Sequence, residues 1–315
     1  MTMFTIGGGH RMHALLCLLS TVALNACGGD KTTTGPPGGG GPTERWATVS
    51  AGSWSIPDQT EAYKCHAELA TRDEYFTGFR LASPSAAQTE VYLTMRPSVS
   101  QTGDFDCSSS SFLGGEAIYA AGPGTTPITF SGGKGVHIAA GQHVMLVVHV
   151  SNTSASSVSA STVIEGRVAT ASDVTTPIDM FLAGKLNFAI PTGDSLDING
   201  DCGIGAERHL VAELPLMRSL GIHERVSGTN VELNQIIFNA HFDPLHVVYV
   251  PLTNDFDLPA NSHIAVSCSF DNNTGAVVNF GERPQDELCF SGIYRYPPEP
   301  PTSMSPIECA LGIVI

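Results

Sequence analysis

Charge is scarce in this sequence, and positive charge scarcer still. Only 14% of its 315 residues are charged, against about 25% in an ordinary soluble domain. Lys and Arg number 15 against 30 Asp and Glu, for a net charge of −15, and no basic run occurs. Binding that works by neutralising phosphates, or by attraction to an anionic lipid surface, is excluded on that ground. Helical periodicity is missing too: no segment keeps it beyond about two turns. There is no CxxC pair, so the sequence lacks the spacing of a zinc ribbon or a redox dithiol. The G-x-S-x-G, P-loop and HExxH patterns are also missing, and with them the enzyme classes built on those motifs. No internal repeat is visible.

What remains is apolar residues and turn formers. Hydrophobic residues make up 42% of the chain, with 33 Gly and 20 Pro. That is apolar enough for a real core and suits many short strands joined by turns. The strongest strand runs from Gln142 to Val150, where apolar residues dominate around His143, Met145 and His149. Ile236–Phe238, His246–Val250 and Ile264–Phe270 read as further strands. The last of these meets Asp271-Asn272-Asn273, a turn signal. The pattern predicts an all-β chain of two sandwiches, the first over residues 46–170 and the second over 171–315, divided near Ala171–Pro177.

Two segments stand outside that fold. Residues 1–27 carry Arg11 and His13 before the apolar run Ala14–Leu24, which is too short to span a bilayer permanently, and end in Leu24-Asn25-Ala26-Cys27. This resembles a bacterial lipobox, in which Cys27 would be lipidated after cleavage of the signal peptide. Residues 28–45, rich in Gly and Pro, read as a flexible tether. The expected location is the bacterial cell envelope, lipid-anchored at the outer membrane or periplasmic face, with the membrane as a partner through the anchor. Setting aside Cys17 and Cys27, six cysteines remain: Cys65, Cys107, Cys202, Cys268, Cys289 and Cys309. An even number in an exported chain reads as three disulfides, and spacing alone does not choose the pairing.

Candidate sites are few. His143, Met145 and His149 are evenly spaced, so a strand places them on one face, where imidazole and thioether donors suit copper. His209, His223, His241 and His246 show no HxH or HxxxH spacing. Asp197-Ile198-Asn199-Gly200-Asp201 starts like a calcium loop, but Arg208 stands where the twelfth-position Glu belongs, and a plain turn is the better reading. Asn254-Asp255-Phe256-Asp257 reads as a solvated loop.

Several segments, in order, carry a resemblance: Tyr63-Lys64-Cys65, Tyr75-Phe76-Thr77-Gly78-Phe79, Gly141–Asn152, Leu214-Pro215-Leu216-Met217-Arg218-Ser219-Leu220-Gly221-Ile222-His223, Cys268-Ser269-Phe270-Asp271-Asn272, Phe280-Gly281-Glu282 and Asp286-Glu287-Leu288-Cys289-Phe290. Over residues 63–289 the chain resembles the copper type II, ascorbate-dependent monooxygenases, the family of peptidylglycine α-hydroxylating and dopamine β-monooxygenases. The resemblance implies two jelly-roll β-sandwich domains and the disulfides Cys65–Cys107, Cys268–Cys289 and Cys202–Cys309. It implies two coppers that hydroxylate C–H bonds, one held by three His in the first domain, the other by two His and one Met in the second. Here those positions are Tyr92, Leu93 and His149, then Leu216, Arg218 and Leu288. Only His149 matches the ligand that the family has at its position: Tyr92 is not a good copper ligand, leucine has no lone pair, and arginine does not deprotonate. The expectation is therefore a non-catalytic relative with no cofactor, which binds an unidentified protein or small ligand and no nucleic acid. The alternative is an active copper- and ascorbate-dependent enzyme with relocated ligands. An inward-pointing Arg218 needs an acidic partner, and the resemblance places Asp286 and Glu287 near it.

Overall fold

The computed structural model describes residues 45–108, 111, 115–230, 234–281, 283 and 285–298. The expected signal peptide, Cys27, almost all of the tether and Cys309 lie outside the described residues. The chain divides into two units, Met1–Thr43 and Glu44–Ile315, and every described residue belongs to the second.

The described residues contain strands and no α-helix. In chain order they are β1 (Trp46–Ile56), β2 (Thr60–Leu69), β3 (Glu74–Leu81), β4 (Gln88–Arg96), β5 (Gly103–Cys107), β6 (Glu116–Ala121) and β7 (Ile128–Thr129). Next come β8 (Lys134–Ile138), β9 (His143–Asn152), β10 (Val158–Ala169), β11 (Thr176–Pro177), β12 (Asp179–Gly184), β13 (Ala189–Ile190) and β14 (Ser195–Ile204). The last are β15 (Arg208–Leu216), β16 (Gly221–Thr229), β17 (Asn234–His241), β18 (Val250–Leu258), β19 (Ser262–Asp271), β20 (Val278–Asn279) and β21 (Phe290–Tyr296).

They build an all-β structure of sandwiched sheets. A nine-stranded sheet, in the order β18-β15-β21-β12-β6-β4-β9-β2-β5, runs through both halves of the chain. Between β12 and β6 it is joined by one register pair, Met180 with Ala117. In the first half the sheet β1-β10-β3-β8-β11 covers it, with β1 packing on β2 and β9. In the second half the sheet β14-β19-β16-β17 covers it, through β14 and β19 on β12. The covering strands β10, β14 and β19 alternate between buried and exposed residues, as half-buried strands must. β12 is buried along its whole length, so this part of the large sheet is covered on both faces.

The halves are also tied by aromatic side chains. Tyr249 Oη donates to the Ala120 carbonyl at 2.8 Å, and Tyr294 Oη donates to the Ile118 carbonyl at 2.8 Å. The Tyr249 ring lies 6.0 Å from Tyr119 and 5.8 Å from Tyr294. Cys65–Cys107 and Cys268–Cys289 are disulfides, as the resemblance implies. Cys202 is disulfide-bonded as well.

One corner is built twice. Asn152 Nδ2 donates to the carbonyls of Pro57 and Ser156, both at 2.8 Å, and its Oδ1 accepts from the Ser154 N–H at 3.0 Å and hydroxyl at 2.7 Å. Asn272 Nδ2 donates to the carbonyls of Pro191 at 3.0 Å and Ala276 at 2.8 Å, and its Oδ1 accepts from the Thr274 N–H at 3.1 Å and hydroxyl at 2.8 Å. The strands that lead to the two asparagines both start after a left-handed residue, Gly141 (φ 89°) and Asn261 (φ 60°). A bulge interrupts the neighbouring pairing at the same place in each half: between Gln88 and Glu90 opposite β9, and between Gly221 and His223 opposite β19. The halves repeat a structure that their sequences do not show at sight.

Three local readings are corrected. Asp197–Asp201 is not a turn but the middle of β14, paired with β19 from Ser269 to Ala265. Its Asp and Asn side chains alternate on the solvent face, while Cys202 and Ile204 turn inward. Gly200 is there for close approach, since a Cβ would come within 2.1 Å of the Gly184 carbonyl oxygen. Asn254–Asp257 is not a loop but part of β18. Of His246–Val250 only Val250 is in a strand; the rest is a crossing segment, anchored where the Val247 N–H donates to the Pro123 carbonyl at 3.1 Å.

Candidate functional site

β9 runs between β2 and β4, and its register sets His149 beside Tyr63 and Glu90. The side chain is buried. The Tyr63 ring stacks on the imidazole, centroids 4.5 Å apart and planes within 14°. Nε2 is hydrogen-bonded to the Glu61 carboxylate and Nδ1 to the Thr89 hydroxyl at 2.7 Å. Both ring nitrogens are engaged. Thr89 reaches it because it occupies the bulge in β4, where the extra residue re-aims side chains.

Glu90, next along, faces Arg218 just beyond the end of β15. Arg218 Nε donates to Glu90 Oε1 at 2.5 Å and Nη2 to Oε2 at 3.1 Å, a bidentate pair. Nη1 donates to the Arg283 carbonyl at 2.5 Å. The side chains of Arg218 and Glu90 are only 10% and 13% exposed. Burial opposes the Arg218 charge, but the adjacent Glu90 carboxylate outweighs it and holds the guanidinium above its ordinary range. The partner is thus Glu90 and neither of the expected acids. Asp286 pairs with Arg283 instead, at 2.9 Å. Glu287 caps the turn after β15, accepting from the N–H groups of Arg218 at 3.0 Å and Leu220 at 2.7 Å. Burial raises the Glu287 carboxyl to about 7 against those donors.

Of the six positions where the resemblance puts copper ligands, five line one cavity of about 270 Å³: Tyr92, His149, Leu216, Arg218 and Leu288. Leu93 does not. It follows Tyr92 on β4, points to the other face of the sheet and is fully buried. The lining does not fit copper. Leu216 and Leu288 offer no donor atom, the Arg218 cation is locked to Glu90, and the one imidazole has both nitrogens occupied. The relocated set fares no better. His143, Met145 and His149 do share a face of β9, but six residues of strand separate the two histidines by about 20 Å, far beyond the span of one ion. Met145 is buried against β4 beside Thr94. Among the described residues no group of three His, Cys, Asp or Glu side chains is placed to hold a metal ion. His66, His209, His246 and His263 each bond to an aspartate, respectively Asp104, Asp257, Asp243 and Asp201.

Glu61, Thr89 and Glu90 are not legible as site residues in the sequence, because no motif contains them. They meet His149 and Arg218 only through strand register and a bulge. The even spacing of Glu61 and Tyr63 was the one available signal, and it makes sense only once β2 is paired with β9.

No family model matches the chain, and no curated protein matches it. Solved structures similar to it include the T13 IBDV viral particle, at 8% identity over 80% of this chain and 69% of that one, with a TM-score of 0.21. Another is the β-porphyranase BpGH86A, of glycoside hydrolase family 86, from the human gut bacterium Bacteroides plebeius, at 11% identity over 77% of this chain and 35% of that one, with a TM-score of 0.16. A third is the Gt strain of infectious bursal disease virus, at 9% identity over 83% and 79%, with a TM-score of 0.18. With so little superposition, none of them bears on the fold or the function.

Proposed function

We propose that this is an exported, lipid-tethered protein with the copper monooxygenase fold that has lost the copper chemistry and holds a small ligand or a partner. One observation carries the reading: five of the six positions that resemble the family's ligand set line a single cavity, yet Leu216 and Leu288 are aliphatic and Arg218 is closed in an ion pair with Glu90. Burial of Leu216 and Leu288, and a guanidinium that already has its counter-ion, suit packing and closure, not metal binding. The disulfides fit an oxidising compartment outside the cytoplasm. Cys27 is proposed as the lipid attachment point.

The test is copper stoichiometry. The protein with its disulfides formed is loaded with copper, desalted and analysed for metal per chain. A value near zero, with ascorbate consumed no faster than by free copper, is expected. One or more tightly held coppers would overturn the reading in favour of an active enzyme with ligands elsewhere.

A further inference from the structure

We propose that the cavity takes a neutral, largely apolar ring compound, about the size of a two-ring aromatic, held by contact and not by charge. This rests on the reading of the site as free of copper.

Size is the first argument. An engineered apolar cavity of about 150 Å³ stays dry and binds benzene. At about 270 Å³ this one has room for roughly two fused rings.

The lining is the second argument. Leu216, Met217, Leu245, Val247 and Leu288 supply aliphatic and thioether surface, and Tyr92 supplies a ring. Such walls favour a flat apolar guest.

Charge is the third. The charged groups along the wall are already satisfied: Glu90 with Arg218, Arg218 again with the Arg283 carbonyl, and His149 with Glu61 and Thr89. A carboxylate or ammonium on the guest would have to enter unpaired or break the buried pair, and both are costly. Ser151 and Ser219 also line the space, and a serine hydroxyl is the kind of group that can meet one neutral polar substituent.

The rim is the fourth. Leu245 is 67% exposed, more than any other large apolar side chain among the described residues. It sits on the crossing segment that Val247 pins to Pro123. A guest in the cavity would cover it.

The experiment is titration of the disulfide-bonded protein with 2-naphthol and with 2-naphthoate, followed by calorimetry. One molecule of 2-naphthol per chain is expected, with 2-naphthoate at least tenfold weaker. L216W, which fills the space, is expected to weaken 2-naphthol at least tenfold without lowering the melting temperature. Should L216W fail to fold, L245S, at the exposed rim, serves instead and is expected to weaken binding several-fold. L288A is expected to shift preference towards a three-ring phenol. Naphthoate binding as tightly as naphthol, binding that ignores the folded cavity variants, or no binding of 2-naphthol at all would overturn the proposal. Copper analysis near zero would leave the proposed function standing in that event, whereas copper uptake would remove both.

Discussion

Where the resemblance would put an imidazole, the guanidinium of Arg218 changes what the surroundings must supply. An imidazole can sit neutral, but Arg218 cannot, so a carboxylate has to follow it into the site. That much was legible from the sequence. Which carboxylate was not, because the resemblance pointed to Asp286 and Glu287, while Glu90 comes from the other half, 128 residues away. The pair is buried, so removing one member strands the other. R218L is expected to destabilise the protein by about 3 kcal/mol, whereas R218L combined with E90L should recover most of that loss. Urea unfolding of the two single variants and the double variant measures the coupling. If the three costs add, the pair is not the closed unit described above.

At the scale of elements, alternation did most of the work. It marked β9 and β19 nearly to their ends, and the first sandwich, expected from residue 46, opens with β1 at Trp46. It misled where a residue type has two uses. Asp, Asn and Gly in a row suggest a turn, but in β14 the polar residues face solvent and the glycine lets two strands approach. The bulge at Thr89 had no signature at all, and neither did the repeated asparagine corner, since only the asparagine and a hydroxyl two residues later are shared. Both asparagines are almost fully buried, and each ties its own turn to a second chain segment. N152A and N272A are each expected to cost about 3 kcal/mol in unsatisfied backbone groups. The double variant should show the sum within about 0.5 kcal/mol, because the corners share no partner. Markedly unequal costs would mean that only one corner bears on stability.

Over the whole molecule, acidity is placed inside as well as outside. Burial, with help from the Asp179 charge, raises the Glu116 carboxyl to about 7, and Glu287 rises to about 7 as well. In the second sandwich Glu213 and Glu224 interact directly, and burial pushes both carboxyls up, Glu224 further through the charge of Glu213. Groups held above their unfolded values bind protons more tightly in the native state. The stability they allow is complete below the unfolded carboxyl value, near 4.3, and is lost as pH rises towards and through about 7. The melting temperature is therefore expected to fall between pH 5 and pH 8, with Glu116 and Glu287 each accounting for on the order of 3 kcal/mol. E224Q should flatten the profile, and a flat wild-type profile would contradict it. The order of the large sheet has its own consequence. Because β6 and β12 join the halves, β5 and β18 are its outer strands among the described residues. Both carry Asp-Phe-Asp, at 104–106 and 255–257, and β18 adds Pro251. Acidic side chains and a proline on open strand edges repel a second edge. Two copies meeting edge to edge would bring these short triplets together, so they would keep neighbouring copies from stitching their sheets into a fibre.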